Sequence, residues 1–169
     1  MTDLRVGLGV DAHRFSEGAR LVLGGVEFPG EAGLAGHSDG DVIAHALVDA
    51  VLGAAGLGDI GAFFPSGDPQ WEGASSLHLL ERAYGAVREA GFELVNADCV
   101  LVGERPRIAG RGHEMEERLA GALGVEPQRL SVRATTTDGL GFTGRGEGLV
   151  AHAVALLTRR LPSKPPSAA

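Results

Sequence analysis

Residues 4–13 constrain the fold more than any other stretch. Leu4, Val6, Leu8 and Val10 alternate with Arg5, Gly7, Gly9, Asp11 and His13. A period of two means a strand whose successive side chains face opposite sides. One side of it is aliphatic; the other carries two glycines, then a carboxylate and an imidazole. A half-buried strand of this kind needs a sheet around it.

The rest of the chain reads as that sheet and its helices. Residues 21–23 and 26–28 flank Gly24-Gly25, a two-residue hairpin signal. Ile43, Ala46, Leu47, Ala50 and Ala54 form one apolar stripe, predicting a helix over 40–55 that Gly56 ends. A Gly/Pro-rich loop over 57–74 precedes a second helix over 75–90, with Leu77, Leu80, Tyr84 and Val87 on one face and Gly91 at its end. A strand over 95–102, a helix over 111–123 stopped by Gly124, and a strand through Leu130, Val132 and Ala134 follow. A Gly-rich loop from Gly139 to Gly148 then leads into a last helix over 148–160. Strands alternate with helices, and no repeat or linker intervenes. The expected fold is α/β (α+β): one domain over 1–161, with a mixed sheet covered by helices on one face. The sheet's other face then lacks cover, which points to oligomerisation. Residues 162–169, rich in Pro, Ser and Ala, read as a disordered tail.

Composition narrows the partners. The formal net charge of −7 argues against a nucleic-acid or acidic-membrane surface. Glycine, at 27 of 169 residues, is about twice its usual share of roughly 7%, while aromatics are 5%. The core must therefore be Ala, Val, Leu and Ile, which lets elements approach closely. The single cysteine, Cys99, rules out an intrachain disulfide, suits a reducing compartment, and falls in an apolar strand pattern as a buried thiol. No signal-peptide pattern and no run near the ~20 apolar residues of a membrane span are visible, so a soluble, cytoplasmic protein is expected.

Four clusters are candidates to carry chemistry. Asp11 and His13, two apart on a strand, point to one face and can converge on one ion. In His37-Ser38-Asp39-Gly40-Asp41 the chain turns into the first helix, and His45 lies one turn inside it. Asp41, His45 and Asp49 fall within about 80° of one another on that helix, opposite the apolar stripe. Asp11, His13 and His45 thus offer one oxygen and two nitrogen ligands with a fourth position open, the pattern of a working zinc site. Asp49 is expected behind them in a supporting role. The third cluster, Ala134-Thr135-Thr136-Thr137-Asp138 before a Gly-rich loop, offers hydroxyl donors to phosphate and a carboxylate for a hard cation. It is neither a Walker A loop nor a dinucleotide turn. After the strand over 95–102, Gly103-Glu104-Arg105-Pro106-Arg107 can clamp a phosphate or a base rim, or simply turn.

With these residues in view, the chain resembles the 2-C-methyl-D-erythritol 2,4-cyclodiphosphate synthase family of the non-mevalonate isoprenoid pathway. The resemblance rests on GLGVDAHRF, LGGVEFPGEAGLAGHSDGDVIAHALVDAVLGAAGLGDIGAFFP, ERPRI and VRATTTDGLGFTGRGEG, in order and spacing over almost the whole chain. It implies a lyase in which the substrate's 2-phosphate attacks the β-phosphorus of its own cytidine diphosphate, closes a ring and expels CMP. It implies zinc on Asp11, His13 and His45, and magnesium or manganese helped by Asp138. His37 and Thr136 match positions of transition-state stabilisation, with Ser38 beside His37 and Ala12 between the first two ligands. Asp59, Ile60 and Gly61 match sugar contacts, and Phe64, Pro65, Ser66, Gly67 and Asp68 lie along the methylerythritol phosphate. Gly103, Glu104, Arg105, Pro106, Arg107, Ile108 and Ala109 match a cytosine pocket, with Thr135, Thr136, Thr137 and Asp138 beneath the phosphates.

The resemblance further implies a homotrimer with each site between two subunits, and an isoprenoid diphosphate on the trimer axis near Phe142 and Arg145. Two residues depart from the family pattern. Ser66 stands where Asp is usual, removing one hydrogen bond to the substrate diol. Asp138 stands where Glu is usual, one methylene shorter, which routes the magnesium contact through water. At this length no fused cytidylyltransferase is expected. Two rival readings remain: a zinc phosphohydrolase on the same scaffold, and a non-catalytic metal- or isoprenoid-binding trimer.

Overall fold

In the computed structural model, which describes residues 3–160, the alternating segment is strand β1 (Leu4–Ser16). Its buried side is the glycine side. Leu4, Val6, Leu8 and Val10 are exposed, whereas Gly7 and Gly9 are covered. The cause is helix α1 (Val42–Ala55), which lies directly on them. A Cβ at Gly7 would stand 2.0 Å from the Ala50 carbonyl oxygen, and one at Gly9 1.8 Å from that of Ala46. No side chain fits in that gap, so glycine is required by the close approach of helix to strand.

The Gly24-Gly25 hairpin forms as expected, joining β2 (Val22–Leu23) to β3 (Val26–Glu27). Both glycines have positive φ, 56° and 74°, as a two-residue turn of this kind demands. A short β4 (Gly33–Leu34) pairs with the end of β1. Helix α1 starts at Asp41, whose carboxylate accepts the Ile43 and Ala44 N–H groups at 3.1 Å each. The same carboxylate accepts Gly24 N–H at 2.8 Å and Gly25 N–H at 2.7 Å, tying the hairpin to the helix start. Burial pushes the Asp41 carboxyl up to about 6, against the backbone donors that favour its charged form. Asp41 is therefore a buried cap, and the reading that grouped it with His45 on a functional face is corrected. Gly56 ends α1 in the left-handed conformation.

The loop over 57–74 contains a one-turn helix, α2 (Ile60–Phe63), and a turn of 3₁₀ helix at Pro69–Trp71. Helix α3 (Ser76–Glu89) buries Leu79, Leu80, Ala83, Tyr84 and Val87, and the Tyr84 hydroxyl accepts Leu94 N–H at 2.9 Å. Strand β5 (Phe92–Val102) is bulged between Leu94 and Asn96, which blurs its alternation in sequence. Helix α4 (Gly112–Leu123) ends at Gly124, and β6 (Leu130–Thr135) runs parallel to β5. A one-turn helix, α5 (Gly141–Gly144), lies inside the Gly-rich loop.

The expected last helix is not a helix. Residues Gly148–Arg159 form strand β7, at the centre of a sheet ordered β4-β1-β7-β5-β6 and antiparallel to both β1 and β5. Its alanines suggest a helix by propensity, but Leu149, Ala151, Ala153, Ala155 and Leu157 keep a strict period of two and are all buried. Strands on both sides satisfy its backbone, and tertiary context overrides propensity. The sheet is mixed and its helices lie on one face, as expected. Cys99 is buried within it, its thiol pushed up to about 12 by burial. The predicted tail over 162–169 lies outside the described residues.

The helix-free face is divided. Over β1 and β7 it is largely aliphatic, with Val6 69% and Leu8 64% exposed beside Val10 and Val154, and the exposed His152 opposite Val10. Over β5 and β6 it is polar, with Arg133 paired to Asp98 at 2.7 Å. Gly9→Ala tests the packing on the other face. Its methyl would overlap the Ala46 carbonyl, so the variant should lose at least about 3 kcal/mol in chemical denaturation. A loss below 1 kcal/mol would contradict the contact.

Candidate metal centre and active-site groove

The packing of α1 on β1 decides where the first chemical cluster forms. Asp11 and His13 leave β1 on the helix side, and His45 reaches down to them from the first turn of α1. The Asp11 Oδ2 lies 2.8 Å from His13 Nε2 and 2.9 Å from His45 Nδ1. The three ligand atoms all lie within 4.8 Å of one another, and the two rings are tilted with centroids 5.4 Å apart. Each ring is held on its far side. His13 Nδ1 meets the Ala35 carbonyl oxygen, and His45 Nε2 lies 2.9 Å from both Ser38 Oγ and Ser76 Oγ.

This donor set fits a divalent metal. Two imidazole nitrogens crowd one carboxylate oxygen, an arrangement that needs positive charge between them, either ring protons or a cation. Burial by itself would raise the Asp11 carboxyl, but hydrogen bonds with His13 and His45 outweigh it and hold the group well below the usual carboxylate range. The hydrogen bond to Asp11 raises the His13 imidazole above its ordinary 6.5, against burial. Two nitrogens and one oxygen favour zinc or its neighbours over magnesium.

The triad forms the floor of a groove of about 410 Å³. Its walls include His37, Ser38, Ile60, Gly61 and the run Phe64 to Asp68, so the residues expected beside the metal and along the methylerythritol phosphate line one groove. Ser66 is in that wall. Trp71, Glu72 and Leu79 also line it, and sequence reading passed over them. Asp59 caps α2, accepting Ala62 N–H at 2.8 Å. Asp49 accepts Ile60 N–H at 2.7 Å, and burial raises its carboxyl. It anchors the groove wall rather than a ligand histidine, which corrects the role expected for it.

The second half of the expected site gathers elsewhere. Strands β5 and β6 end side by side, where Gly103 N–H donates to the Thr135 carbonyl at 3.0 Å. Beyond them the Thr136 hydroxyl donates to Asp138 at 3.0 Å, and Gly139 N–H to Glu104 at 3.3 Å. Asp138 has a positive φ of 51°. Arg105 follows the same strand and lies over the Phe15 ring at 5.7 Å, while Ile108 is buried. In register, Asp11 faces Ala151, which faces Leu101, which faces Ala134. The two halves thus share one end of the sheet, with β5 two and β6 three strand spacings from β1, about 10 and 14 Å. Phe142 borders a separate cavity of about 530 Å³ with Ala12, His13, Arg14, Phe15 and Glu147. Arg145 pairs with Glu147 at 2.6 Å.

A three-donor centre at the floor of an open groove is the arrangement of a metal-dependent α/β protein. Residues 4–158 match the YgbB family, and the chain belongs to it. A bifunctional enzyme IspD/IspF from Anaeromyxobacter sp. (strain Fw109-5) is 60% identical over 91% of this chain and 40% of that protein. The chain therefore spans about two fifths of the length of the bifunctional relatives it matches. A 2-C-methyl-D-erythritol 2,4-cyclodiphosphate synthase from Moorella thermoacetica is 55% identical over 93% of this chain and 96% of that one. Among solved structures, the bifunctional IspDF from Campylobacter jejuni superimposes with a TM-score of 0.91 at 43% identity, over 94% of this chain and 43% of that one. A 2C-methyl-D-erythritol-2,4-cyclodiphosphate synthase in a CDP-bound form gives a TM-score of 0.82 at 38% identity, over 90% of this chain and 99% of that one.

His45→Ala should cut bound zinc, measured by mass spectrometry, well below one ion per chain, because two donors are too few to hold it. Acid should release zinc from the wild type as well. Since the His13 imidazole is raised above 6.5, its proton begins to displace the metal near neutral pH, so affinity falls as pH drops from 8 to 6. In the metal-free protein the sign reverses: the His13–Asp11 pair contributes most below 6.5 and is lost as pH rises through the raised value. A zinc affinity flat across that window would contradict the assignment.

Proposed function

We propose that the chain converts 4-diphosphocytidyl-2-C-methyl-D-erythritol 2-phosphate to 2-C-methyl-D-erythritol 2,4-cyclodiphosphate and CMP. The observation that carries this reading is the Asp11–His13–His45 centre in a groove walled by His37, Ser38 and residues 60–68. The relatives' names and the CDP in the 38% identical structure support the same substrate class. An oxygen of the 2-phosphate attacks the β-phosphorus, and the bond from that phosphorus to the bridging oxygen of the CMP group breaks. The nucleophile belongs to the substrate, so the protein's work is to fold the substrate back on itself and to neutralise charge.

The chain's residues divide that work. Phe64 to Asp68 and Ile60-Gly61 orient the methylerythritol unit, and Asp59 sits at the same turn as a further sugar contact. Gly103 to Ala109 receive cytosine, with Thr135 to Asp138 beneath the phosphates. His37 and Thr136 donate to phosphate oxygens that gain charge as the bond shifts, and Ser38 supports His37. Zinc, held by Asp11, His13 and His45, would supply Lewis-acid polarisation of a phosphate oxygen. Asp138, already bonded to the Thr136 hydroxyl, is suited to magnesium or manganese, through water given its short side chain.

The split of the site across the sheet supports a homotrimer in which one chain supplies the metal groove and its neighbour the Gly103–Ala109 and Thr135–Asp138 segments. The aliphatic strip of β1 and β7 is the surface for that contact. An isoprenoid diphosphate near Phe142 and Arg145 belongs to the same reading. Among the described residues no helix is long and apolar enough to cross a membrane. With one buried, unreactive thiol, this supports a cytoplasmic enzyme.

Product analysis with the cytidine diphosphate substrate is the direct test. CMP with cyclic diphosphate is expected, and inorganic phosphate as sole product would favour a phosphohydrolase. Asp138→Asn should raise the magnesium needed for CMP release and leave bound zinc unchanged. Light scattering should give three chains per particle, and Leu8→Asp should lower that number together with activity. A fully active monomer at nanomolar concentration would remove the shared site.

A further inference from the structure

Ser76 and Asp39 lie behind His45 and do not line the groove. Ser76 is fully buried at the start of α3, 31 residues from His45 in sequence. Its hydroxyl lies 2.9 Å from His45 Nε2 and is hydrogen-bonded to Asp39 Oδ1. Asp39 Oδ2 also accepts the Ser76 backbone N–H at 3.0 Å, and Asp39 Oδ1 accepts Asp41 N–H at 3.3 Å. The carboxylate thus clamps Ser76 from two directions.

The proton positions follow from what each group can do. A carboxylate only accepts, so the Ser76 hydroxyl proton goes to Asp39. The Ser76 oxygen then faces His45 with lone pairs alone, and only an Nε2–H can satisfy it. His45 Nδ1 lies 2.9 Å from Asp11 Oδ2, a second obligate acceptor, so it presents a lone pair on that side once a cation takes the place of the proton between them. Ser38, also 2.9 Å from Nε2, can donate or accept, and so does not decide the matter. His13 is set the opposite way around the same cation, because its Nδ1 faces the Ala35 carbonyl, an obligate acceptor, and its Nε2 faces Asp11.

We infer that Ser76 and Asp39 are positioning residues that accept the Nε2–H of His45 when a metal replaces the proton at its Nδ1, so that the metal is taken by Nδ1 of His45 and Nε2 of His13. The inference rests on the reading of Asp11, His13 and His45 as metal ligands. Groups of this kind behind a metal-bound histidine fix ring orientation and raise ligand basicity, and losing one costs about 10–100-fold in metal affinity.

Two measurements test it. Nitrogen-15 NMR of the zinc-loaded wild-type protein reports which ring nitrogen of each histidine carries a proton, without any substitution. His45 should be Nε2–H and His13 Nδ1–H; Nδ1–H at His45 would overturn the inference. Ser76→Ala keeps the helix start and the backbone bond to Asp39, and removes only the hydroxyl. It should leave the His13 resonances unchanged, shift that of His45 Nε2, and weaken zinc binding about 10–100-fold in competition with a chromophoric chelator. Zinc affinity and the His45 Nε2 resonance both unchanged in Ser76→Ala would also overturn it. His45→Ala is the control for the metal site itself. If it binds zinc like the wild type, the ligand assignment fails; if it loses zinc while Ser76→Ala does not, the Ser76–Asp39 relay alone fails.

Discussion

The contact between α1 and the glycine side of β1 sets the rest of the molecule. Gly7 and Gly9 let the helix backbone come down to the strand, with the Ala46 and Ala50 carbonyls over the two Cα atoms. On the neighbouring strand, Ala151, Ala153 and Ala155 continue the same shallow surface. Following β1 past Gly9 reaches Asp11 and His13 on that side; following α1 back from Ala46 reaches His45. One helix–strand approach therefore brings three ligands from residues 34 positions apart to a common point. A larger residue at Gly9 would push the helix at Ala46, next to His45, off the strand and so draw His45 away from Asp11.

A surface built from Gly and Ala buries little apolar area, and the fold makes up for this elsewhere. The large buried side chains come from the helices and the far strands: Leu47, Leu52, Leu80, Leu94, Met115, Leu119 and Leu123. Each contributes about 1.5–3 kcal/mol by burial, several times what an alanine offers. Asp41 adds a polar pin, its carboxylate gathering N–H groups from the hairpin and the helix start. Removing its side-chain oxygens would strand buried donors, at about 1–3 kcal/mol each. The site is thus precise because rigid, well-packed elements surround a thin seam, and the seam is where the ligands meet.

Much of this was legible in sequence, for physical reasons that also explain the failures. Period-two alternation exposed β1, and glycine stops marked the ends of α1, α3 and α4, since both signals are local. The metal triad was legible because Asp11 and His13 share a strand face and His45 opens a helix. Strand β7 was misread because alanine's helix propensity is local, whereas its role as thin packing under α1 is tertiary. Asp41 and Asp49 look alike on a helical projection, yet one caps the helix and the other holds α2. Nothing local distinguishes them. Ser76 reaches His45 across 31 residues, with no spacing rule to announce it.

The two unlike halves of the outer sheet face bear on why the site is divided. Val6, Leu8, Val10 and Val154 form an aliphatic strip that a single chain leaves in water, while Asp98 and Arg133 hold the adjoining strands polar. Burying that strip between copies would return a large part of the 1.5–3 kcal/mol each side chain can contribute, against an association cost of about 4–15 kcal/mol. Association through β1 and β7 would pack neighbours around the strands that carry Asp11 and His13. The segments at the ends of β5 and β6, about 10 and 14 Å away along their own sheet, could then approach the metal groove of the next chain. In the proposed trimer, the same strand that places its glycine side under α1 to build the metal centre places its aliphatic side against another copy to complete the site. The alternation over residues 4–13 would then specify both contacts at once, one on each side of β1.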